Sequence, residues 1–203
     1  KRVPKLGGAD IELGNVVLGL DRPSGTGGMA SRALLREIQG VSAAGRSYGG
    51  SWGQAGSYAY DGYWGGSTGG FYDLQDWGRK YLSGNGGCIY IDLDHLELAI
   101  PEVLSAWDHV AMTHAMLQIA RGALEQANEK MPDGLSIQVL VNNTDGLSNS
   151  YGSHFNCLIT RETWNNLFHH KLHQLLFLAS YQVSSIVFTG QGKVGSENGR
   201  PET

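Results

Sequence analysis

The sequence lacks the features that would mark a membrane protein or a nucleic-acid-binding protein. None of its apolar runs approaches the ~20 residues that a membrane-spanning helix needs. Basic residues are not in excess, because 15 lysines and arginines stand against 19 acidic residues and the formal net charge is −4. Such a balance provides no electrostatic footprint for nucleic acid and no polybasic anchor for a membrane surface. We therefore expect neither nucleic acid nor a membrane as a partner.

Cysteine is also scarce, and this limits the covalent and redox chemistry of the chain. Its two cysteines, Cys88 and Cys157, both lie in apolar, strand-like runs. They could form one disulfide, but two buried thiols in a reducing cytoplasm are the favoured interpretation. Neither their spacing nor their neighbours indicate a cysteine-based metal site. The expected location is the cytoplasm.

Glycine is the one abundant anomaly, with 30 of 203 residues. Many of these glycines fall within residues 42–70, where serine, tyrosine and tryptophan are also frequent. Glycine opposes a fixed fold, and loops of this length in compact domains are usually functional or disordered. We predict a mobile loop that closes over a ligand; an insertion without a role is the alternative. Apart from this loop, residues 1–203 have the length and apolar content of one globular domain.

Hydrophobic periodicity predicts strands that alternate with long helices. The predicted strands are 7–20, 87–98, 136–141 and 153–160, and the predicted helices are 31–41, 101–131 and 163–185. This order indicates an α+β fold with a mostly antiparallel sheet and helices packed on one of its faces.

Two predicted strands carry pairs of carboxylates at a spacing of two residues. Asp10 and Glu12 form the first pair, and Asp92 and Asp94 form the second. Residues two apart in a strand point to the same face of the sheet. Neighbouring carboxylates repel each other unless cations compensate, and hard oxygen ligands suit magnesium or manganese. The alternative for each pair is a solvent-facing strand.

A further glutamate and a histidine extend this pattern. Glu97 lies an odd number of residues from Asp92, so a regular strand would send it to the opposite face unless a bulge or strand end re-aims it. His154 and Asn156 share one face of the strand predicted over residues 153–160. A hydrogen-bonded structural role is the alternative for this histidine. Acidic or imidazole groups on three strands together favour a divalent-metal site.

Four segments, in this order, resemble the Pup ligase and depupylase family. Residues 8–14 (GADIELG) resemble its Gly-x-Glu-x-Glu-aromatic-Gly opening. Residues 85–102 (NGGCIYIDLDHLELAIPE) resemble its Asn-Gly-Ala-Arg-x-Tyr-x-Asp…His-Pro-Glu-Tyr…Pro-Glu signature. Residues 142–164 (NNTDGLSNSYGSHFNCLITRETW) resemble its Asn-Asn-x-Asp…Ser-Tyr-Gly-x-His-Glu-Asn segment. Residues 187–195 (VFTGQGKVG) resemble its Gly-x-Gly-Arg/Lys-Val-Gly stretch, so the resemblance covers nearly the whole chain.

The resemblance implies a glutamine-synthetase-like fold, whose curved sheet holds ATP and Mg²⁺ on its concave face. It implies that Asp92 is catalytic, as a base for a lysine amine in a ligase, or as nucleophile or water activator at an isopeptide carbonyl in a depupylase. The implied metal ligands are Asp10, Glu12, Glu97 and His154, and the implied nucleotide contacts are Asn156, Arg161 and Lys193.

The resemblance also implies a substrate and a partner. The expected enzyme acts on a glutamyl carboxylate or an isopeptide amide of a small Pup-like protein modifier. Depupylases resemble this chain in a long connection at the place of residues 42–70, which favours hydrolysis. Ligation through a glutamyl phosphate, and a non-catalytic binding module, are the alternatives. Because the family's chain continues further, we expect residues 1–203 to be the amino-terminal part of a larger catalytic domain. The carboxy-terminal half is then a partner, in the same chain or a separate one.

Several positions depart from the family's motifs. Asp10 replaces the usual first glutamate, Leu96 and Leu98 replace the proline and tyrosine of His-Pro-Glu-Tyr, and Phe155 replaces the glutamate after the motif histidine. The predicted metal ligands are retained. We therefore expect a diverged branch that acts on a Pup-like tag or on another carboxylate or amide.

Overall fold

The fold is built around one long strand. A computed structural model describes residues 4–21, 25–42, 79–144, 150–189, 195–197 and 200–202. Strand β1 (Gly7–Leu18) lies at the centre of a seven-stranded sheet. The other strands of this sheet are β2 (Val41–Ser42), β3 (Lys80–Tyr81), β4 (Cys88–Asp92), β5 (His95–Ala99), β6 (Ser136–Leu140) and β7 (Ser153–Cys157).

All strand pairs of this sheet are antiparallel. Strands β2, β3, β4, β5 and β1 follow one another across the sheet. The other edge of β1 is shared, because β7 pairs with its first half and β6 with its second half. Two short strands, β8 (Gly195–Glu197) and β9 (Arg200–Glu202), form a separate hairpin. The predicted antiparallel α+β architecture is confirmed.

The single strand predicted over residues 87–98 is wrong, because the chain turns back within it. Strands β4 and β5 are the two arms of a hairpin joined by Leu93 and Asp94. Leu93 has a φ of 51°, a left-handed conformation that is uncommon for leucine. Asp94 lies beside Gly28, so close that a side chain at Gly28 would collide with its carboxylate. The prediction that Asp92 and Asp94 form a second same-face pair is therefore wrong.

A buried amide, Asn15, fastens this turn to the sheet. Its Nδ2 donates to the carbonyl oxygens of Gly27, at 2.7 Å, and Asp94, at 3.2 Å. Its Oδ1 accepts the backbone N–H of Leu96 at 3.1 Å. The proline of the family's motif could not make that last hydrogen bond, because proline has no N–H. Leu96 is thus a departure that this fold uses.

The helices begin and end at different residues from those predicted. They are α1 (Gly27–Glu37), α2 (Ala106–Asn128), α3 (Arg161–Asn165) and α4 (Leu172–Thr189), with a π-helical turn at Asn166–His170 between the last two. Helix α2 does not start at Pro101; Ser105 caps it, its Oγ accepting the N–H of Asp108 at 3.1 Å. The helix predicted over 163–185 is interrupted at Lys171.

Helices α1 and α2 cover one face of the sheet and enclose the core with it. This core contains alternate residues of β1, β4 and β5, together with the inner sides of both helices, including Leu13, Val17, Ile89, Leu98, Leu34 and Met116. Helices α3 and α4 have no buried residue. No helix among the described residues has the length and apolarity to cross a membrane.

The two cysteines are free thiols, as favoured from the sequence. Cys88 is buried as expected, but Cys157 on β7 is exposed, so the expectation that both are buried is wrong. Of the loop predicted over residues 42–70, all but Ser42 lies outside the described residues.

A carboxylate-rich candidate site on the sheet

The sheet face opposite α1 and α2, here called the acidic face, collects the polar residues of four strands. On β1 the alternation that sends Ile11 and Leu13 towards the helices sends Asp10 and Glu12 to the acidic face. Residues directly opposite in an antiparallel pair share a face. Glu12 lies opposite Glu97, and Asp10 lies opposite His154.

The hairpin turn explains how Glu97 joins Asp92. In one continuous strand the odd spacing would separate them, but Tyr90 lies opposite Glu97 across the hairpin. Asp92, two residues after Tyr90, therefore points to the same face as Glu97. Because of the turn at Leu93, Glu97 lies on the same face as Asp92 and not on the opposite face that the odd spacing predicted.

Two overlapping groups of potential metal ligands result. Asp10, Glu97 and His154 each offer a ligand atom within 4.8 Å of the other two. Glu12, Asp92 and Glu97 form the second group, within the same limit. The structure thus brings together the predicted catalytic residue and all four predicted metal ligands, with Glu97 common to both groups.

Glu97 is the centre of this cluster and is only 4% exposed. The hydroxyl of Tyr90 donates to its Oε1 at 2.6 Å. Burial raises the pKa of Glu97, and the charges of Asp10, Asp92 and Glu12 raise it further, although the hydrogen bond from Tyr90 opposes this. Partial burial of Tyr90, together with its hydrogen bond to Glu97 and the charge of that carboxylate, raises the pKa of Tyr90. A buried carboxylate among like charges is suited to a cation.

His154 is fixed by Asp10 through two contacts. Its Nδ1 lies 2.6 Å from Asp10 Oδ1, and its backbone N–H donates to the same oxygen at 3.1 Å. The hydrogen bond and the charge of Asp10 raise the pKa of His154. This contact orients the imidazole through Nδ1. The other ring nitrogen, Nε2, is not used in the contact with Asp10.

Glu12 is held by the segment that precedes β7. The backbone N–H of Gly152 donates to its Oε2 at 2.6 Å. His95 Nδ1 lies 3.6 Å from the same oxygen, and the rings of His95 and Tyr151 form a T-shaped pair with a centroid distance of 4.5 Å. A side chain at Gly14 would collide with Tyr151 at 2.6 Å, so the glycine lets this segment approach β1.

The predicted nucleotide contacts fall in different places. Asn156 is exposed on the acidic face and lines a groove of about 490 Å³ together with Gly8, Asp10 and Glu102. Arg161 begins α3, is exposed, and lies outside the lining of this groove. Lys193 lies outside the described residues.

Sequence reasoning missed Tyr90, His95 and Gly152 as supports of the cluster. Tyr90 could have been found, because it lies two residues before Asp92 and shares its face. His95 and Gly152 carried no such signal, since their contacts with Glu12 depend on the hairpin and on the path of the chain into β7.

The donor set fits a hard divalent cation such as Mg²⁺. Four carboxylates and one imidazole offer oxygen and nitrogen ligands, and Glu97, which is buried, is raised in pKa by its acidic neighbours. A cation would relieve this repulsion and would favour the charged form of Glu97.

Residues 39–203 match the model of the Pup_ligase family, described as "Pup-ligase protein". The chain therefore belongs to the Pup ligase family, as its motifs suggested.

Curated relatives of this chain include depupylases and a Pup–protein ligase. The chain is 36% identical over 120 residues to the depupylase of Acidothermus cellulolyticus, covering 58% of this chain and 22% of that protein. It is 32% identical over 111 residues to the Pup deamidase/depupylase of Mycolicibacterium smegmatis, covering 55% and 21%. It is 35% identical over 97 residues to the Pup–protein ligase of Kribbella flavida, covering 45% and 21%. The matches thus span about a fifth of the length of these relatives.

One solved structure resembles the fold. In the crystal structure of the complex between the prokaryotic ubiquitin-like protein Pup and its ligase PafA, a chain matches 78% of this chain over 26% of its own length, with a TM-score of 0.53 and 18% identity. The likeness supports the fold, which is the glutamine-synthetase-like α+β sheet that the motifs implied.

Proposed function

We propose that this chain forms the metal- and ATP-binding part of a cytoplasmic enzyme that acts on a glutamyl carboxylate or amide of Pup or a Pup-like modifier, in the direction of hydrolysis. One observation carries the proposal: Asp10, Glu12, Asp92, Glu97 and His154 converge on one sheet face in a member of this family. The position of Asp92 beside the candidate metal ligands favours an enzyme over a binding module without turnover.

The metal site is proposed to consist of Asp10, Glu12, Glu97 and His154. Glu97 belongs to both groups of ligand atoms. Asp10 and His154 hold each other, and Glu12 is held by Gly152 and His95. Bound magnesium and ATP would supply charge neutralisation at the phosphates and polarisation of a carbonyl. The chain's own contribution is a rigid, negatively charged cradle whose side chains are fixed by the sheet.

Asp92 is proposed as the catalytic residue. It is half-buried at the last position of β4, where the strand gives way to the Leu93–Asp94 turn. Its carboxylate lies among Glu12 and Glu97, so it is adjacent to the proposed metal site. From this position it would take a proton from water or attack an amide carbonyl.

The groove beside Asp10 is the proposed nucleotide site. Its walls combine the small residues Gly7, Gly8 and Ala9 with the amide of Asn156, and its volume of about 490 Å³ suits a small-molecule ligand. Asn156 is the proposed contact there. Arg161 and Lys193 remain proposed phosphate contacts on the basis of the motif resemblance alone.

Hydrolysis is favoured over ligation by two features. The two depupylases match longer stretches of this chain than the Kribbella flavida ligase does. The sequence also carries the long Gly/Tyr/Trp-rich connection at residues 42–70, which resembles depupylases. Ligation through a glutamyl phosphate is the second candidate, because a ligase is among the relatives.

A partner is proposed to complete the fold. The matched region is about a fifth of the curated relatives, and α4 exposes a set of large apolar side chains that includes Leu176, Phe177, Tyr181, Val187 and Phe188. Exposed apolar surface of this kind marks an interaction site. The proposed partner is the carboxy-terminal half of the same fold, in the same chain or as a separate polypeptide.

The experiment offers two substrates to the enzyme in its full-length or partner-bound form. One is a Pup–protein conjugate and the other is free Pup with an acceptor protein, each with ATP and Mg²⁺. Release of the conjugated protein supports hydrolysis, and formation of a conjugate supports ligation. If a preparation that binds ATP and Mg²⁺ catalyses neither of these reactions, the proposed activity is contradicted.

A further inference from the structure

A row of four side chains crosses the acidic face from its edge to its centre. Strand β3 pairs with β4 so that Lys80 lies opposite Ile89. Extending this register by one residue places Arg79 opposite Tyr90. Tyr90 lies opposite Glu97, and Glu97 lies opposite Glu12, so the row continues across β5 to β1. An arginine therefore begins a row that ends in two carboxylates of the proposed metal site.

Each contact along this row fixes the next side chain. The Arg79 guanidinium carbon lies 3.7 Å from the centroid of the Tyr90 ring, well inside the ~6 Å limit for a cation–π contact. Arg79 Nη1 also donates to Cys88 Sγ at 3.9 Å. Beyond the ring, the Tyr90 hydroxyl donates to Glu97 at 2.6 Å. The guanidinium, the phenol and the buried carboxylate thus form one connected chain.

The contact between Arg79 and Cys88 occurs at a position where the family motif has an arginine. In the family motif Asn-Gly-Ala-Arg-x-Tyr-x-Asp, the arginine stands two residues before the tyrosine, and in this chain Cys88 occupies that position. The guanidinium that contacts Cys88 comes from Arg79, the residue directly before the neighbouring strand β3. Arg79 lies outside the motif, so motif comparison alone would record only the loss of an arginine.

We propose that Arg79 is a positioning residue of the metal site: it stacks on Tyr90, holds the phenol against Glu97, and replaces the arginine that the motif carries at the position of Cys88. This inference rests on the proposed function, because it takes Glu97 as a metal ligand.

Positioning and simple charge make opposite predictions for the loss of Arg79. A positive charge near a cation site repels the cation, so if charge alone mattered its removal would tighten metal binding. If Arg79 instead holds Tyr90 and Glu97 in place, its removal loosens a ligand and weakens metal binding. Lysine separates the two further, since it keeps the charge but lacks the planar group that stacks on an aromatic ring.

The test is a Mn²⁺ titration by isothermal calorimetry on the unmodified full chain and on four variants of it. Arg79→Ala should weaken Mn²⁺ binding by about two- to thirtyfold, the range expected from a cation–π contact of about 0.5–2 kcal/mol. Arg79→Lys should be weakened similarly. Adding Cys88→Arg to Arg79→Ala should return the affinity to near that of the unmodified chain. Arg121→Ala removes an exposed arginine on α2 and is the matched control, expected to bind as the unmodified chain does.

The outcomes separate this inference from the proposed function. Unchanged or tighter binding by Arg79→Ala would overturn the positioning role. Weaker binding by Arg79→Ala without recovery in the double variant would overturn the replacement of the motif arginine. A circular-dichroism melt of each variant shows whether it is folded, and Arg79→Lys carries the test if the alanine variant is not. An unmodified chain that binds no Mn²⁺ would overturn the proposed metal site itself, and this inference with it.

Discussion

Replacing Glu97 by glutamine should make the metal-free protein more stable while weakening its response to Mg²⁺. Glu97→Gln keeps the size of the side chain and an oxygen that can accept the Tyr90 hydroxyl. It removes one negative charge from a cluster in which Asp10, Glu12 and Asp92 raise the pKa of Glu97. The new amide N–H groups can in turn donate to the remaining carboxylates.

The size of the effect follows from the spacing of the charges. Ligand atoms in each group lie within 4.8 Å of one another. At this separation two carboxylates repel by roughly 1 kcal/mol in water and by about 3 kcal/mol at the effective dielectric of a protein surface. We therefore expect Glu97→Gln to raise the free energy of unfolding by about 1–3 kcal/mol in EDTA, and Tm by about 5 °C.

The assay is thermal unfolding followed by circular dichroism, in EDTA and in excess Mg²⁺. The unmodified protein should gain about 2.7 kcal/mol when Mg²⁺ is present at a hundred times its Kd. Glu97→Gln, lacking a shared ligand, should gain much less, so that the difference between the two proteins shrinks or reverses. Glu102→Gln is the control, since Glu102 is exposed and outside both ligand groups. A Glu97→Gln protein that is less stable in EDTA would show that repulsion around Glu97 does not destabilise the metal-free fold. One that responds to Mg²⁺ as fully as the unmodified protein would show that Glu97 is not a metal ligand.

Three further predictions concern neighbouring residues. Asp92→Asn should abolish turnover while ATP affinity, measured by calorimetry, stays within about twofold, because one catalytic carboxylate is lost and the metal ligands remain; undiminished turnover would reject its role. Asn15→Ala should lower the free energy of unfolding in urea by about 2–4 kcal/mol, since it leaves the Leu96 N–H and two carbonyl groups without their buried partner; a loss under about 0.5 kcal/mol would contradict this. Gly14→Ala should displace Tyr151 and weaken Mn²⁺ binding through Glu12, whereas Gly122→Ala on α2, where there is room for a methyl group, should not.

The sequence was enough to predict the elements that depend on local pattern. The alternation in β1 placed Asp10 and Glu12 on one face, and the strand predicted over residues 153–160 placed His154 and Asn156 together. These predictions needed only the two-residue period of a strand. The antiparallel sheet and its helix-covered face followed from the order of strands and helices.

The elements that depend on tertiary contacts could not be predicted in the same way. The turn at Leu93 has no glycine or asparagine in the left-handed position, so nothing in the local sequence marked a hairpin. Asn15, 79 residues away along the chain from Asp94, holds this turn in place. A continuous strand without this turn would place Glu97 on the sheet face opposite that of Asp92. The stacking of Arg79 on Tyr90 likewise depends on the pairing of β3 with β4.

The proposed function requires one face of this sheet to bind a divalent cation for nucleotide chemistry. The most direct measurement is anomalous diffraction from crystals of the protein grown with Mn²⁺ and a non-hydrolysable ATP analogue. We expect a manganese peak within coordination distance of Glu97, shared with Asp10 and His154 or with Glu12. A peak located elsewhere, with Glu97 still bonded only to Tyr90, would contradict it.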